Sequence, residues 1–217
     1  MERNKEYVEA MQRIVKERNI RCLYHYTQLM NLDSILWSGI LSKAWMRRQG
    51  VAFAENDPDR FDGELDGISV SVGFPNFKTF YTKRKQMEND PSVHGWAVLA
   101  LKPDLLWKLP CSFQWANAAS REMIAVPLEE RRTAEAFGRM FADLPDHPRS
   151  GLISPWQTTD PQAEVLVFGE IPREYILYAN VESEDVKNSP YIPDAWRDDL
   201  KVYPKLFQPR EDWQEWR

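Results

Sequence analysis

A carboxylate stands at the start of an otherwise apolar run in Asp160-Pro161-Gln162-Ala163-Glu164-Val165-Leu166-Val167-Phe168. The run reads as a β-strand, with Pro161, which cannot donate to a ladder, marking where it begins. Gln162 sits two residues before Glu164, so an extended chain turns both side chains to one face and Val165 and Val167 to the other. A charge on such a strand needs water, a partner or a task, because an unpaired buried charge is costly or becomes protonated. Two explanations are open: a strand-end Glu that reaches solvent or an Arg, and a carboxylate held for chemistry. Far upstream, Leu23-Tyr24-His25-Tyr26-Thr27 reads as a short strand rich in aromatic and β-branched residues. Thr27 is placed to cap a following helix that carries Leu29, Leu32, Ile35 and Leu36 on one face and stops at Gly39. A lone His in a strand is commonly a satisfied structural residue. At a strand end, beside a hydroxyl and a helix start, His25 also has the setting in which donors fix a sugar or a phosphate.

The elements that must position these residues form one α+β unit. An amphipathic helix over Glu6–Lys16 precedes the Tyr24 strand and the Asn31 helix. The charged stretch 55–60 reads as a loop. In Ile68-Ser69-Val70-Ser71-Val72 serines alternate with apolar residues, so Ser69 and Ser71 share a face. A helix from about Phe77 to Glu88 carries Phe80 and Tyr81, and places Lys78 and Lys85 on one side with Lys83 and Arg84 between them. Residues 95–101 read as a buried strand, 129–142 as a helix, 176–181 as a strand and 201–203 as a further short one. Residues 143–160 make a long polar connection that leads directly to Gln162 and Glu164, and a connection of that length is usually functional or mobile. The whole chain, 1–217, is expected to be a single domain with its core at about 20–182 and a Trp- and charge-rich tail, 183–217, lying against it.

Composition narrows the function classes. Hydrophobic residues make up 43%, enough for a sizeable core, and nine Trp are too many for the core alone, so some belong at surfaces or ligand walls. The charged start Met1-Glu2-Arg3-Asn4-Lys5-Glu6 is unlike a signal peptide, and no apolar run is long enough to span a membrane. Two cysteines without a CxxC pair point to a reducing cytoplasm and, with three scattered histidines, away from a metal site. There is no glycine-rich phosphate loop. A net charge of −5 argues against general nucleic-acid binding, so any contact with a strand must be local and helped by stacking.

Taken in order, Tyr24-His25-Tyr26-Thr27, Asn31-Leu32-Asp33-Ser34-Ile35-Leu36, Gly39-Ile40-Leu41, Asp59-Arg60-Phe61-Asp62-Gly63, the Ser69–Ser71 strand, Phe74-Pro75-Asn76-Phe77-Lys78-Thr79-Phe80-Tyr81 and Pro161-Gln162-Ala163-Glu164-Val165 resemble the DarT family. These are bacterial toxins that move ADP-ribose from NAD onto a DNA base. The resemblance runs over about residues 20–180. It implies an ADP-ribosyltransferase-like fold, with central mixed or antiparallel sheets flanked by helices, and NAD as substrate. It further implies single-stranded DNA as acceptor, and an antitoxin hydrolase, DarG-like macrodomain or NADAR-type, as partner.

The resemblance also implies roles. Breaking the nicotinamide–ribose bond passes through a sugar oxocarbenium ion, as in glycoside hydrolysis, and a fixed carboxylate beside it stabilises the charge. That is the expected role of Glu164, with Arg60 as an electrostatic clamp. His25, Tyr26, Thr27, Asn31, Ser69, Ser71, Phe80 and Tyr81 are the expected NAD contacts, one of the two helix aromatics being structural. Asn117 and Ser120 either join them or cap a turn. Gln162, Trp156, Thr158, Thr159, Lys83 and Arg84 are the expected acceptor contacts, Trp156 either stacking on a base or anchoring its loop. One departure stands out. Thymidine-modifying members carry a Tyr-Val-Pro-Phe-Tyr-Phe type strand where this chain has Ile68-Ser69-Val70-Ser71-Val72-Gly73-Phe74-Pro75, which leaves guanine or thymine as the modified base, with a lean toward guanine. The same catalytic unit acting on RNA or protein, and a non-catalytic nucleotide-binding module, are the alternative readings.

Overall fold

The computed structural model describes residues 4–50 and 66–216. The first half contains α1 (Lys5–Glu17), β1 (Leu23–Gln28), α2 (Leu32–Ser38), β2 (Ile40–Leu41), α3 (Lys43–Gln49), β3 (Gly67–Val72), α4 (Phe77–Gln86) and β4 (Trp96–Leu101). The second half adds α5 (Leu105–Lys108), β5 (Cys111–Asn117), α6 (Arg121–Ala125), α7 (Ala134–Arg139), β6 (Ala163–Phe168), β7 (Glu170–Ile171), β8 (Ile176–Val181), α8 (Glu184–Lys187) and β9 (Leu200–Val202). Seven strands form one sheet in the order β5-β6-β3-β1-β4-β8-β9, and β2 pairs with β7 in a small second sheet. Every pairing is antiparallel except β8 with β9. This is the α+β, helix-flanked sheet expected from the sequence.

Side chains leaving the sheet alternate between two apolar layers. On one face Leu23, Ile68, Val70, Val72, Leu99, Val165 and Val167 meet Met11 of α1, Leu32 and Ile35 of α2 and Phe137 of α7 in the main core. On the other face a smaller core gathers Phe74, Phe80, Trp96, Val98, Leu206 and Phe207, with Tyr24 and Tyr26 against it. Two faces covered in this way explain why β4 is buried along its whole length.

The sheet is not continuous in strength. β1 pairs with β4 over all six residues from Leu23 to Gln28. With β3 it pairs only at Leu23–Val72 and Tyr24–Ser71, after which the two strands separate. β3 in turn pairs with β6 over four residues. The sheet therefore consists of two well-formed halves joined at one end and open at the other.

Several sequence expectations shift by local chemistry. Thr27 lies within β1 rather than capping a helix, and a 3-10 turn over Leu29–Asn31 intervenes before α2. The expected 129–142 helix divides at Thr133, whose hydroxyl accepts from the Ala136 amide and caps α7, leaving a 3-10 turn at Glu130–Arg132. Residues 143–162 contain neither helix nor strand. Phe80, expected as a cofactor wall, is instead a core residue: it is 2% exposed, stacks on Tyr26 at 4.6 Å and meets Trp96 edge-on at 5.6 Å. Its neighbour Tyr81 is 63% exposed.

Phe80→Ala is expected to cost about 3–5 kcal/mol in urea denaturation, the range for emptying a buried aromatic site. Tyr81→Ala is expected to change stability by no more than about 0.5 kcal/mol. Equal effects of the two substitutions would contradict the assignment of Phe80 to the core.

Candidate functional site

Of the predicted residues, His25 of β1 and Ser69 and Ser71 of β3 stand where these two strands separate. His25 is the first β1 residue past the last pair with β3, and its Nδ1 lies 2.9 Å from the Ser69 carbonyl oxygen on β3. A carbonyl only accepts, so Nδ1 carries the proton and Nε2 is left as an acceptor. Burial holds the imidazole below its ordinary pKa of 6.5; the Ser69 contact opposes this and the charge of Lys43 adds to it. The ring is thus neutral at pH 7, a hydrogen-bond acceptor suited to a sugar hydroxyl. Thr27 shares the His25 face of β1, is buried, and accepts from Asn31 Nδ2 at 3.0 Å, which fixes the turn after β1.

Glu164 enters from the adjoining strand. Ser69 pairs directly with Leu166 of β6, and continuing that register brings Ser71 opposite Glu164. Standard strand spacing puts the Cα atoms of Ser69 and Glu164 roughly 8 Å apart. Glu164, Ser69 and Ser71 leave the sheet on the same side, Glu164 and Ser69 half-buried and Ser71 buried. Ser71 Oγ accepts from the Asn76 amide at 3.0 Å, and Asn76 Oδ1 accepts from the Thr79 amide to cap α4. Ser71 therefore builds the corner between β3 and α4 beside the opening.

On its far side β6 is supported by β5. Gln114 pairs opposite Glu164, and the register then jumps so that Asn117 pairs with Ala163. The two extra residues, Trp115 and Ala116, lie on β5, so that strand bends beside Glu164. The buried Gln114 amide satisfies both its ends with its nitrogen 3.0 Å from the Ser112 and Glu164 carbonyls and its oxygen 3.1 Å from Arg131 Nη1. Sequence reading missed Gln114 and Arg131, because a Gln in a strand core and an Arg in a short turn carry no motif. Asn117 and Ser120 serve as caps: Asn117 Oδ1 accepts from the Ala119 amide and Ser120 Oγ from the Met123 amide.

Gln162 stands in a turn, and β6 begins at Ala163, so the expected strand alternation of Gln162 with Glu164 is not the geometry found. Its amide donates to Asp160 Oδ1 at 2.7 Å, closing the turn that leads into β6. Burial pushes the Asp160 carboxyl above its ordinary range, against the Gln162 amide and the charges of Lys78, Arg210 and His147. Thr158 and Thr159, expected to read an acceptor, are 3% and 1% exposed. Thr158 Oγ1 donates to the Asp160 carbonyl, and Thr159 Oγ1 accepts from Arg149 Nη1. Both hydroxyls therefore hold the loop together rather than facing a ligand. Trp156, at 37% exposed, keeps a surface for one.

That loop is seated on Gly73, the residue after β3. Gly73 has φ +74°, and a Cβ there would collide with the Trp156 carbonyl and lie 2.9 Å from its ring Cδ1. The requirement is therefore both conformational and steric. The expected basic helix face is largely occupied within the fold. Lys78 Nζ donates to the Trp216 carbonyl, Lys85 pairs with Glu88, and Arg84 pairs with Glu182, donates to the Phe207 carbonyl and lies over the Phe80 ring. Arg84 thus joins α4 to the C-terminal residues instead of presenting its charge to a strand of DNA. Lys83 is half-buried on the same helix. Arg60 lies outside the described residues.

Two outcomes follow from this geometry. Because the folded His25 resists protonation, the unfolded chain takes up the proton first as pH falls below about 6.5; stability declines from there, and the Nε2 acceptor is lost at lower pH, where the folded ring itself protonates. The pH–rate profile of catalysis is expected to fall on the acid side with an apparent pKa below 6.5, and His25→Gln to remove that limb. An unchanged limb would place the titration elsewhere. Gly73→Ala is expected to cost about 2 kcal/mol in chemical denaturation, through strain and displacement of Trp156, and a wild-type midpoint would contradict the close approach.

Comparison with known proteins agrees with this architecture. The family model described as ssDNA thymidine ADP-ribosyltransferase, DarT, matches residues 24–191. No curated protein matches the sequence significantly. Among solved structures, Thermosipho africanus DarTG in complex with ADP-ribose superposes with a TM-score of 0.55 at 20% identity, covering 88% of this chain and 52% of that one. This chain therefore spans about half the length of that relative. Thermus sp. 2.9 DarT in complex with NAD+ gives 0.53 at 17% identity, covering 87% and 98%. The same Thermus protein in complex with ADP-ribosylated ssDNA gives 0.50 at 16%, covering 88% and 97%. With the family model spanning most of the sequence and the same fold in these structures, this chain belongs to the DarT family.

Proposed function

We propose that this protein transfers ADP-ribose from NAD to a base of single-stranded DNA. The single observation that carries the reading is the placement of Glu164 one strand away from the opening in which a neutral His25 is held, in a chain matched by the DarT model over both residues. In this reading the opening between β1 and β3 takes the nicotinamide riboside of NAD. His25 Nε2 accepts from a ribose hydroxyl. Glu164 holds the 2′-hydroxyl and stabilises the positive charge that develops as the bond to nicotinamide breaks. Nicotinamide leaves with the bonding pair, a ring nitrogen of the base attacks the ribose carbon, and the proton of that nitrogen is released. Trp156 supplies a stacking surface for the acceptor strand, whose affinity then needs little net positive charge.

The matching family description names thymidine, and the comparisons give no support to guanine, so thymidine is the acceptor base in this reading. Base modification on DNA makes the protein a toxin of the cytoplasm. No described helix is long and apolar enough to cross a membrane. Its partner is a hydrolase that removes the mark, and the half-length match to a DarTG chain favours a DarG-like antitoxin over a NADAR-type one.

Intact-mass spectrometry on a panel of short DNA and RNA strands, each lacking one base, tests the reading. Incubation with protein and NAD is expected to add one ADP-ribose to thymidine-containing DNA. Glu164→Ala is expected to lower the rate by about 10²–10³-fold or more, as for removal of a main transition-state stabiliser. NAD turnover without an adduct on any strand would point to another acceptor, and neither adduct nor turnover would refute the enzyme.

A further inference from the structure

The residues beyond 191 lie outside the matched family region, yet they build a polar clamp on the loop that precedes Glu164. Arg210 and Asp212 form a buried ion pair: Arg210 Nε and Nη2 lie 2.7 Å from the two carboxylate oxygens, and the side chains are 2% and 0% exposed. The outer edge of the same guanidinium turns toward the loop. Nη1 donates to the Thr158 carbonyl at 2.8 Å and Nη2 to the Thr159 carbonyl at 2.9 Å. Asp212 is held from behind by the Trp216 indole N–H at 2.9 Å. One planar group therefore binds a carboxylate and two consecutive carbonyls, an arrangement a lysine cannot reproduce.

We infer that Arg210 is a positioning residue for the acceptor end of the active site, acting through the backbone of residues 157–160. The connection to the site is short. Thr158 Oγ1 donates to the Asp160 carbonyl, Asp160 Oδ1 takes the Gln162 amide, and the Ala163 amide closes on the Asp160 carbonyl at the first residue of β6. Glu164 is the next residue. On the other side of the loop, Trp156 is wedged against Gly73 at the end of β3. Outside Arg210 the tail grips the same loop again, with Ser150 Oγ donating to Glu215 Oε1 at 3.0 Å. The loop has neither helix nor strand, so such contacts, with those from Arg18 to the Pro155 carbonyl and from the Thr159 amide to the Met140 carbonyl, set where Trp156 stands relative to Glu164. A preorganised stacking surface lowers the ordering cost of binding a flexible strand.

This inference rests on the transferase reading above, and the experiment separates the two. Removing Arg210 alone would strand a buried Asp212, so the informative variant is Arg210→Met with Asp212→Leu, which removes both charges together. Circular dichroism establishes that the variant is folded. Strand-free NAD hydrolysis and transfer to a thymidine-containing DNA strand are then measured side by side with wild type. The expected result is a KM for NAD within about twofold of wild type and a kcat/KM for the strand about 10- to 100-fold lower, the size of effect that a displacement of roughly 1 Å produces. Arg210→Lys, which keeps a charge beside Asp212 but reaches one carbonyl at a time, is expected to show the same split more weakly. It carries the test if the double variant does not fold. Wild-type kcat/KM for the strand in a folded variant overturns the inference, and so do equal losses in NAD hydrolysis and strand transfer, which mark a merely structural tail. No adduct from the wild-type protein would instead remove the transferase reading itself.

Discussion

The structure depends on a sheet that stops pairing in its middle. After Tyr24–Ser71 the backbone ladder between β1 and β3 ends, and the imidazole of His25 takes over by reaching the Ser69 carbonyl. A continuous ladder would fill this space with main-chain hydrogen bonds and leave no groove. A wider separation without His25 would expose polar edges of both strands. The side-chain bridge keeps the halves in register while they diverge, and it fixes the ring's tautomer. One contact therefore bridges the separated strands and leaves Nε2 as an acceptor. The flanking pairings make this possible, because β1 is fully supported by β4 and β3 by β6.

The second constraint is on the segment that leads to Glu164. Residues 143–162 have neither helix nor strand, yet Ile153 and residues 157–161 are buried. Arg149 ties Asp143, Ser154 and Thr159 together from within, and contacts from outside complete the order: Gly73 leaves room for the Trp156 backbone, and Arg210 gathers two consecutive carbonyls. A buried arginine is tolerable here because its carboxylate and carbonyl partners satisfy four of its five N–H groups. The cost of ordering a long irregular loop is thereby offset by contacts distant in sequence.

Much of this was legible in the sequence, and the exceptions share a cause. Alternation in Ile68–Val72 and Val165–Val167 located β3 and β6, and helical spacing located α1 and α4, because burial on one face imposes those periods directly. His25 and Glu164 were legible as polar residues on apolar strands. What was illegible depended on partners far along the chain. Thr158 and Thr159 read as acceptor contacts, and the arginine that binds their carbonyls is about fifty residues away. Arg84 looked like a free cation, although Glu182 and Phe207 occupy it. Phe80 looked available to a ligand until Tyr26 and Trp96 enclosed it. Gln162 belonged to a strand by pattern, but Asp160 draws its amide into a turn.

The central claim is that the divergence of β1 and β3 is the NAD groove. A crystal structure of Glu164→Ala with NAD tests it most directly. The account predicts the nicotinamide riboside between the two strands, with a ribose hydroxyl donating to His25 Nε2 and the ribose carbon bonded to nicotinamide facing the position vacated by the Glu164 carboxylate. NAD bound elsewhere on the protein, or a His25 ring turned so that Nδ1 no longer meets the Ser69 carbonyl, would contradict it.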